Sequence, residues 1–150
     1  MRRRIFIAIN IPEKIKRRLI EYEAKWPELP AKWTKKENLH ITLEFLGNLT
    51  EEEIMELCQK TSKILSEKKA FTVCLNKICY GPPERTKALV SKIPRMVWAT
   101  GEKIKQFNTI PHITLARIRT WQFKQLELEE RPEIEQDINL SFEVNSVEIM

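Results

Sequence analysis

The apolar positions of this chain follow two rhythms. Residues 3–9 (RRIFIAI) are rich in β-branched and aromatic side chains and read as a strand. Pro12 suits the first turn of a helix. Ile15, Leu19, Ile20 and Tyr22 then recur at helical spacing, with Lys14, Lys16, Arg17 and Arg18 mostly on the other faces, which predicts a helix from Glu13 to about Lys25. The segment Trp26-Pro27-Glu28-Leu29-Pro30 ends it. Residues 39–46 (LHITLEFL) read as a strand closed by Gly47-Asn48. Thr50 and Glu53 have the spacing of a capping box, in which hydroxyl and carboxylate satisfy free N–H groups at a helix start, so a helix is expected to run to about Ser66. Residues 71–80 (FTVCLNKICY) read as a strand, Gly81-Pro82-Pro83 as a turn, residues 95–99 (RMVWA) as a short strand and 112–118 (HITLARI) as another. Short helical turns are expected within 102–108 and 121–129, and a final strand, with a bulge allowed, over 138–150. Low-complexity tracts and Gly/Ser linkers are absent, so residues 1–150 are expected to form a single domain.

Composition narrows the class. The chain is 42% hydrophobic and 31% charged, with the apolar residues spread along its length, as in a globular protein. No apolar run approaches the roughly 20 residues of a membrane span. The start of the chain is basic and then apolar, but too short for a signal-peptide core and without a small-residue cleavage site. A cytoplasmic protein without a membrane partner is the expectation. Cys58, Cys74 and Cys79 are odd in number and lack CxxC spacing, which fits free thiols in a reducing compartment. The net charge of +5 permits an anionic partner such as RNA. Arg2, Arg3, Arg4 and the lysines around Lys35 are candidates to flank its path, and Trp33, close before the first motif described next, is the best candidate to stack a base. Trp98, inside a strand, reads as core.

The chemistry is carried by the two histidines, which are all the chain has. His40 opens His-Ile-Thr-Leu, and so does His112. At ordinary residue frequencies the chance of that agreement is on the order of a few in ten thousand. Side chains alternate faces along a strand, so His40 and Thr42 point one way while Leu39, Ile41, Leu43 and Phe45 point toward a core. His112 and Thr114 share a face in the same manner, with Ile113 and Leu115 behind them. Two such strands facing each other would build a cleft with two imidazoles and two hydroxyls.

Displacement at phosphorus places nucleophile and leaving group on opposite sides, and is served by one general base and one general acid. Histidine titrates near about 6.5, so one imidazole can be neutral while the other is charged. Threonine hydroxyls can donate to the non-bridging phosphate oxygens. A strained 2′,3′-cyclic phosphate needs no metal. Two histidines are also too few for a structural zinc site, and any further ligand would come from dispersed carboxylates. Neither metal nor cofactor is expected.

The segments MRRRIFIAI (1–9), ENLHITLEFLG (37–47), RMVWA (95–99) and PHITLAR (111–117) resemble the landmarks of the RNA 2′,3′-cyclic phosphodiesterases, also called 2′-5′ RNA ligases, of the two-histidine phosphoesterase superfamily. The resemblance implies an α+β fold of two pseudo-symmetric lobes, each an antiparallel sheet with helices on its outer face, around a central cleft. It implies hydrolysis of RNA 2′,3′-cyclic phosphate ends to 2′-phosphate, with 2′-5′ ligation of tRNA halves or oligonucleotides as a second activity, by a monomer. His40 would be the general acid and His112 the general base. Thr42, Thr114 and Arg117 would bind phosphate, and Phe45 would lie near the terminal nucleobase. Phe45 and Arg117 have the opposite strand parity to the histidines, so strand-end twist or a bulge is needed to aim them at the cleft. Against the family pattern the chain is shortened in the middle, where Thr100 to Ile110 replace a full helix, and at the C-terminus. That shortening keeps a weakly active RNA- or nucleotide-binding domain of the same fold as an alternative, beside a phosphodiesterase for a small cyclic nucleotide.

Overall fold

The computed structural model of the protein describes residues 2–67, 70–81 and 93–149. Strand β1 (Arg3–Asn10) leads through Pro12 into helix α1 (Glu13–Glu21), whose last turn tightens to a 3-10 helix over Tyr22–Lys25. A short strand β2 (Ala31–Trp33) follows, then β3 (His40–Leu49), α2 (Glu51–Glu67), β4 (Phe71–Gly81), β5 (Met96–Gly101), β6 (His112–Ile118), α3 (Thr120–Gln125), β7 (Glu135–Val144) and β8 (Glu148–Ile149). Helix α2 starts as its capping box requires. The Glu53 amide donates to Thr50 Oγ1 at 3.2 Å, and the Thr50 amide donates to Glu53 Oε1 at 3.3 Å.

The strands form one antiparallel sheet in the order β7-β4-β5-β6-β3-β1-β8, with β2 pairing to β6. The α+β class and the antiparallel halves agree with expectation, and the halves meet edge to edge rather than as separate sheets. They meet through one pair among the described residues, Ile41 with Ile113. Beyond it the free edge of β6 is taken by β2, at Ala116 to Ile118. The two histidine strands therefore touch near their starts and diverge, which opens a cleft on one face. On the opposite face Ile9, Leu39, Ile41, Val97, Ala99 and Ile113 are all 1% exposed or less and belong to one continuous core. Burial of these side chains is the main force holding the divergent strands to a common base.

Several expectations needed correction. Strand β2 carries too few residues to show a period, and only its pairing to β6 reveals it. Strand β3 does not close at Gly47-Asn48 but continues to Leu49, because Gly47 takes a φ of +80°, which only glycine adopts at little cost. The segment 102–108 holds a single 3-10 turn (Lys105–Phe107) inside a tight loop closed by Ile104 and Thr109, with Asn108 left-handed at φ 50°. The final strand is interrupted, as β7 and β8, and β8 crosses to the edge of β1. The turn expected at Pro82-Pro83 lies outside the described residues. No helix among the described residues is long and apolar enough to cross a membrane.

Candidate active site

His40 and His112 stand at the first positions of β3 and β6. Antiparallel pairing of Ile41 with Ile113 sets His40 on the side of Thr114 and Thr42 on the side of His112. Each imidazole thus neighbours a threonine of its own strand and one of the other. The Nδ1 of His40 lies 2.7 Å from the Asn38 carbonyl oxygen. A carbonyl only accepts, so Nδ1 carries the hydrogen and Nε2 is left for a ligand. The ring of His112 makes the matching bond to the backbone of Ile110, again two residues earlier.

The parity of Phe45 and Arg117 is corrected by two bulges. In the β1–β3 register Asn10 pairs with His40, Ala8 with Thr42 and Ile7 with Glu44, so Leu43 is skipped. The pairing of Phe6 with Phe45 then falls on the face of Ala8 and Asn10. Phe45 is accordingly 61% exposed rather than in the core. In the β5–β6 register Thr100 pairs with His112, Trp98 with Thr114 and Met96 with Arg117, so Leu115 is skipped and Arg117 joins the histidine face. The consecutive burial of Leu115 and Ala116 records the same flip. The Leu115 carbonyl accepts from the Thr34 amide at 2.8 Å, which keeps the bulge satisfied. Each bulge lies three residues after a histidine.

The resulting cleft, about 310 Å³, is lined by His40, Thr42, Phe45, His112, Thr114 and Arg117 together with Thr34, Asn38, Met96 and Trp98. No carboxylate is among these residues, and the groups able to carry positive charge are an arginine and two imidazoles, a set suited to an anion. Burial is the largest influence on His112 and holds its pKa below the ordinary imidazole value. The hydrogen bond to Ile110 opposes this, and the charge of His40 adds to it. Thr114 Oγ1 spends its hydrogen on Met96 Sδ at 3.8 Å, a weak bond that a stronger acceptor can displace. Among the described residues no group of three or more His, Cys, Asp or Glu side chains is arranged to hold a metal ion.

Trp33 is not brought to this cleft. It is half-buried and lines a separate shallow groove with Ile20, Leu29 and Ala31, because its strand pairs to the far end of β6. Trp98 makes the opposite correction. Its indole lies in the cleft, stacked on His112 with ring centroids 4.3 Å apart and planes 25° from parallel. Gly81 packs so closely on the indole that a Cβ there would come within 2.4 Å of the ring. Phe6 stands 5.4 Å from the His40 ring. The even spacing of Trp98 from Thr100 along β5 carried no sign that this face met His112, so only the strand pairing could find it.

A family model described as LigT-like phosphoesterase matches residues 7–91, a span that includes the first histidine motif and ends before the second. An RNA 2′,3′-cyclic phosphodiesterase of Methanocaldococcus jannaschii is 43% identical over 54 residues, which cover 36% of this chain and only 31% of that protein. One of Thermotoga maritima is 25% identical over 143 residues, covering 81% of this chain and 73% of that protein. Among solved structures, a Thermus thermophilus protein superposes with a TM-score of 0.78 at 22% identity, covering 98% of this chain and 87% of its own. E. coli LigT in complex with 3′-AMP superposes with a TM-score of 0.70 at 25% identity, covering 99% and 87%.

Proposed function

The chain belongs to the LigT-like phosphoesterase family, and from that premise we propose that it hydrolyses the 2′,3′-cyclic phosphate ends of RNA to 2′-phosphate ends, with its two histidines as the proton-transfer pair. The observation that carries this reading is the pairing of two equivalent His-x-Thr strands across one cleft with no carboxylate among its described lining residues. In the proposed reaction His112, whose pKa is held down by burial, takes a proton from the attacking water. His40, with Nδ1 fixed on Asn38, presents its protonated Nε2 to the departing 3′-oxygen. As the ring opens, negative charge builds on the non-bridging oxygens. The hydroxyls of Thr42 and Thr114 donate to them, and Arg117 compensates the charge. The exposed ring of Phe45 offers a face to the terminal base. A 5′-hydroxyl in the place of water would give a 2′-5′ linkage by the same two proton transfers, so ligation belongs to the proposal as a second outcome of the same site.

A short oligonucleotide with a 2′,3′-cyclic end, incubated with the protein in excess EDTA, should be converted to the 2′-phosphate at an undiminished rate. The product is identified by its resistance to enzymes that require a 3′-phosphate. Loss of turnover in EDTA with recovery on adding zinc or magnesium would replace the two-histidine mechanism by a metal-assisted one.

The pH profile gives a second check. The reaction needs His112 neutral and His40 charged, so kcat/KM should be bell-shaped. The folded-state pKa of His112 is depressed, so its imidazole stays neutral to lower pH than a free one. The acidic limb should therefore fall below about 6.5, the ordinary imidazole value. An acidic limb at or above that value would assign the base to another group.

A further inference from the structure

The cleft face of β1 continues outward past the reacting groups. Asn10 pairs with His40, Ala8 with Thr42 and Phe6 with Phe45, and strand alternation brings Arg4 to the same face. The guanidinium carbon of Arg4 sits 5.6 Å from the centroid of the Phe45 ring, over its face. Phe45 in turn lies 5.8 Å from Phe6, and Phe6 5.4 Å from His40. A line of rings thus runs from the first imidazole to an arginine at the rim. Arg4 is exposed and forms no ion pair with a carboxylate among the described residues. A guanidinium above an aromatic ring, without a carboxylate partner, keeps N–H groups to donate.

We propose that Arg4, at the rim beside Phe45, forms a subsite for the linkage upstream of the terminal nucleotide and donates to a backbone phosphate of single-stranded RNA. The inference rests on reading the cleft as a cyclic-phosphodiester site and deepens it, because it names the residue that distinguishes an oligonucleotide end from a cyclic mononucleotide. At a rise of about 3.3 Å per residue, Arg4 lies about 13 Å along β1 from Ala8, the residue paired with Thr42. The guanidinium reaches back from there over Phe45, which places it for the linkages that precede the terminal nucleotide. An aromatic face followed by a cation is the combination that tracks single strands, the ring taking a base and the cation a phosphate. A cyclic mononucleotide has no phosphate to offer at that distance.

The test compares Arg4→Gln with the unaltered protein on a cyclic mononucleotide and on a trinucleotide with the same cyclic end. The ratio of kcat/KM, trinucleotide over mononucleotide, should fall about tenfold in the variant, the loss of one charge-assisted contact. The slope of log affinity for the trinucleotide against log salt should shrink by about 0.7, the value for one phosphate on a single strand. Replacing the upstream linkages by neutral methylphosphonates should cause the same loss in the unaltered protein and no further loss in the variant. An equal fall on both substrates, an unchanged ratio, or an unchanged salt slope would overturn the subsite. If the unaltered protein opened no cyclic end at all, the catalytic reading would fail by itself. Fluorescence anisotropy with labelled mono- and trinucleotide would then still judge the subsite by the same ratio and slope.

Discussion

Replacing His112 by alanine is expected to lower kcat/KM on a cyclic-ended oligonucleotide by about 10²–10⁴-fold, the contribution of a positioned general base. His40→Ala should lose a similar factor, and the two variants should then part company according to the leaving group. A substrate with sulfur in place of the 3′-oxygen leaves without needing a proton. It should recover much of the lost rate in His40→Ala, where the missing group is the acid. The same substrate should leave His112→Ala slow, because its water still lacks a base. Rescue of His112→Ala but not His40→Ala would exchange the roles. Loss below about tenfold in either variant would remove that histidine from the chemistry, since general acid or base catalysis is worth at least ten times more. Circular dichroism should show both variants folded, because neither ring belongs to the buried core.

Ile41→Ala is expected to destabilise the protein by about 2–5 kcal/mol, measured as a lowered midpoint of denaturant unfolding at unchanged slope. Ile41 is fully buried and supplies one side of the pair that joins β3 to β6. Truncation leaves a cavity at the point where the diverging strands are held to a common base. The cost should therefore sit high in the range, because β3 and β6 cannot both move inward to fill it. His40 and Thr42 flank Ile41, so kcat/KM should also fall under conditions where the variant remains folded. Ile41→Val, which removes one methylene, should cost only about 0.5–1.5 kcal/mol. A loss under about 1 kcal/mol for the alanine variant would show that the two halves are held together elsewhere.

The sequence by itself determined a good deal. Hydrophobic period and turn chemistry placed β1, β3, α2, β4 and β6 to within a few residues, because each carries a strong local pattern and α2 carries its own cap. The repeat of His-Ile-Thr-Leu determined that each imidazole shares a strand face with a hydroxyl, since that relation depends only on alternation over three residues. Sequence parity could not decide where Phe45, Arg117 and Trp98 point. Ideal alternation sends Phe45 and Arg117 to the core, and they reach the cleft because β1 skips Leu43 and β5 skips Leu115. A bulge is a property of two strands in register, and nothing within HITLEFL or HITLARI sets it. Trp98 faces His112 because β5 lies beside β6, and Trp33 faces away because β2 joins the same strand at its far end. Local chemistry was written into each strand, whereas the choice of which side chains share the cleft was made by pairing between strands distant in the chain, where a shift of one residue reverses every face.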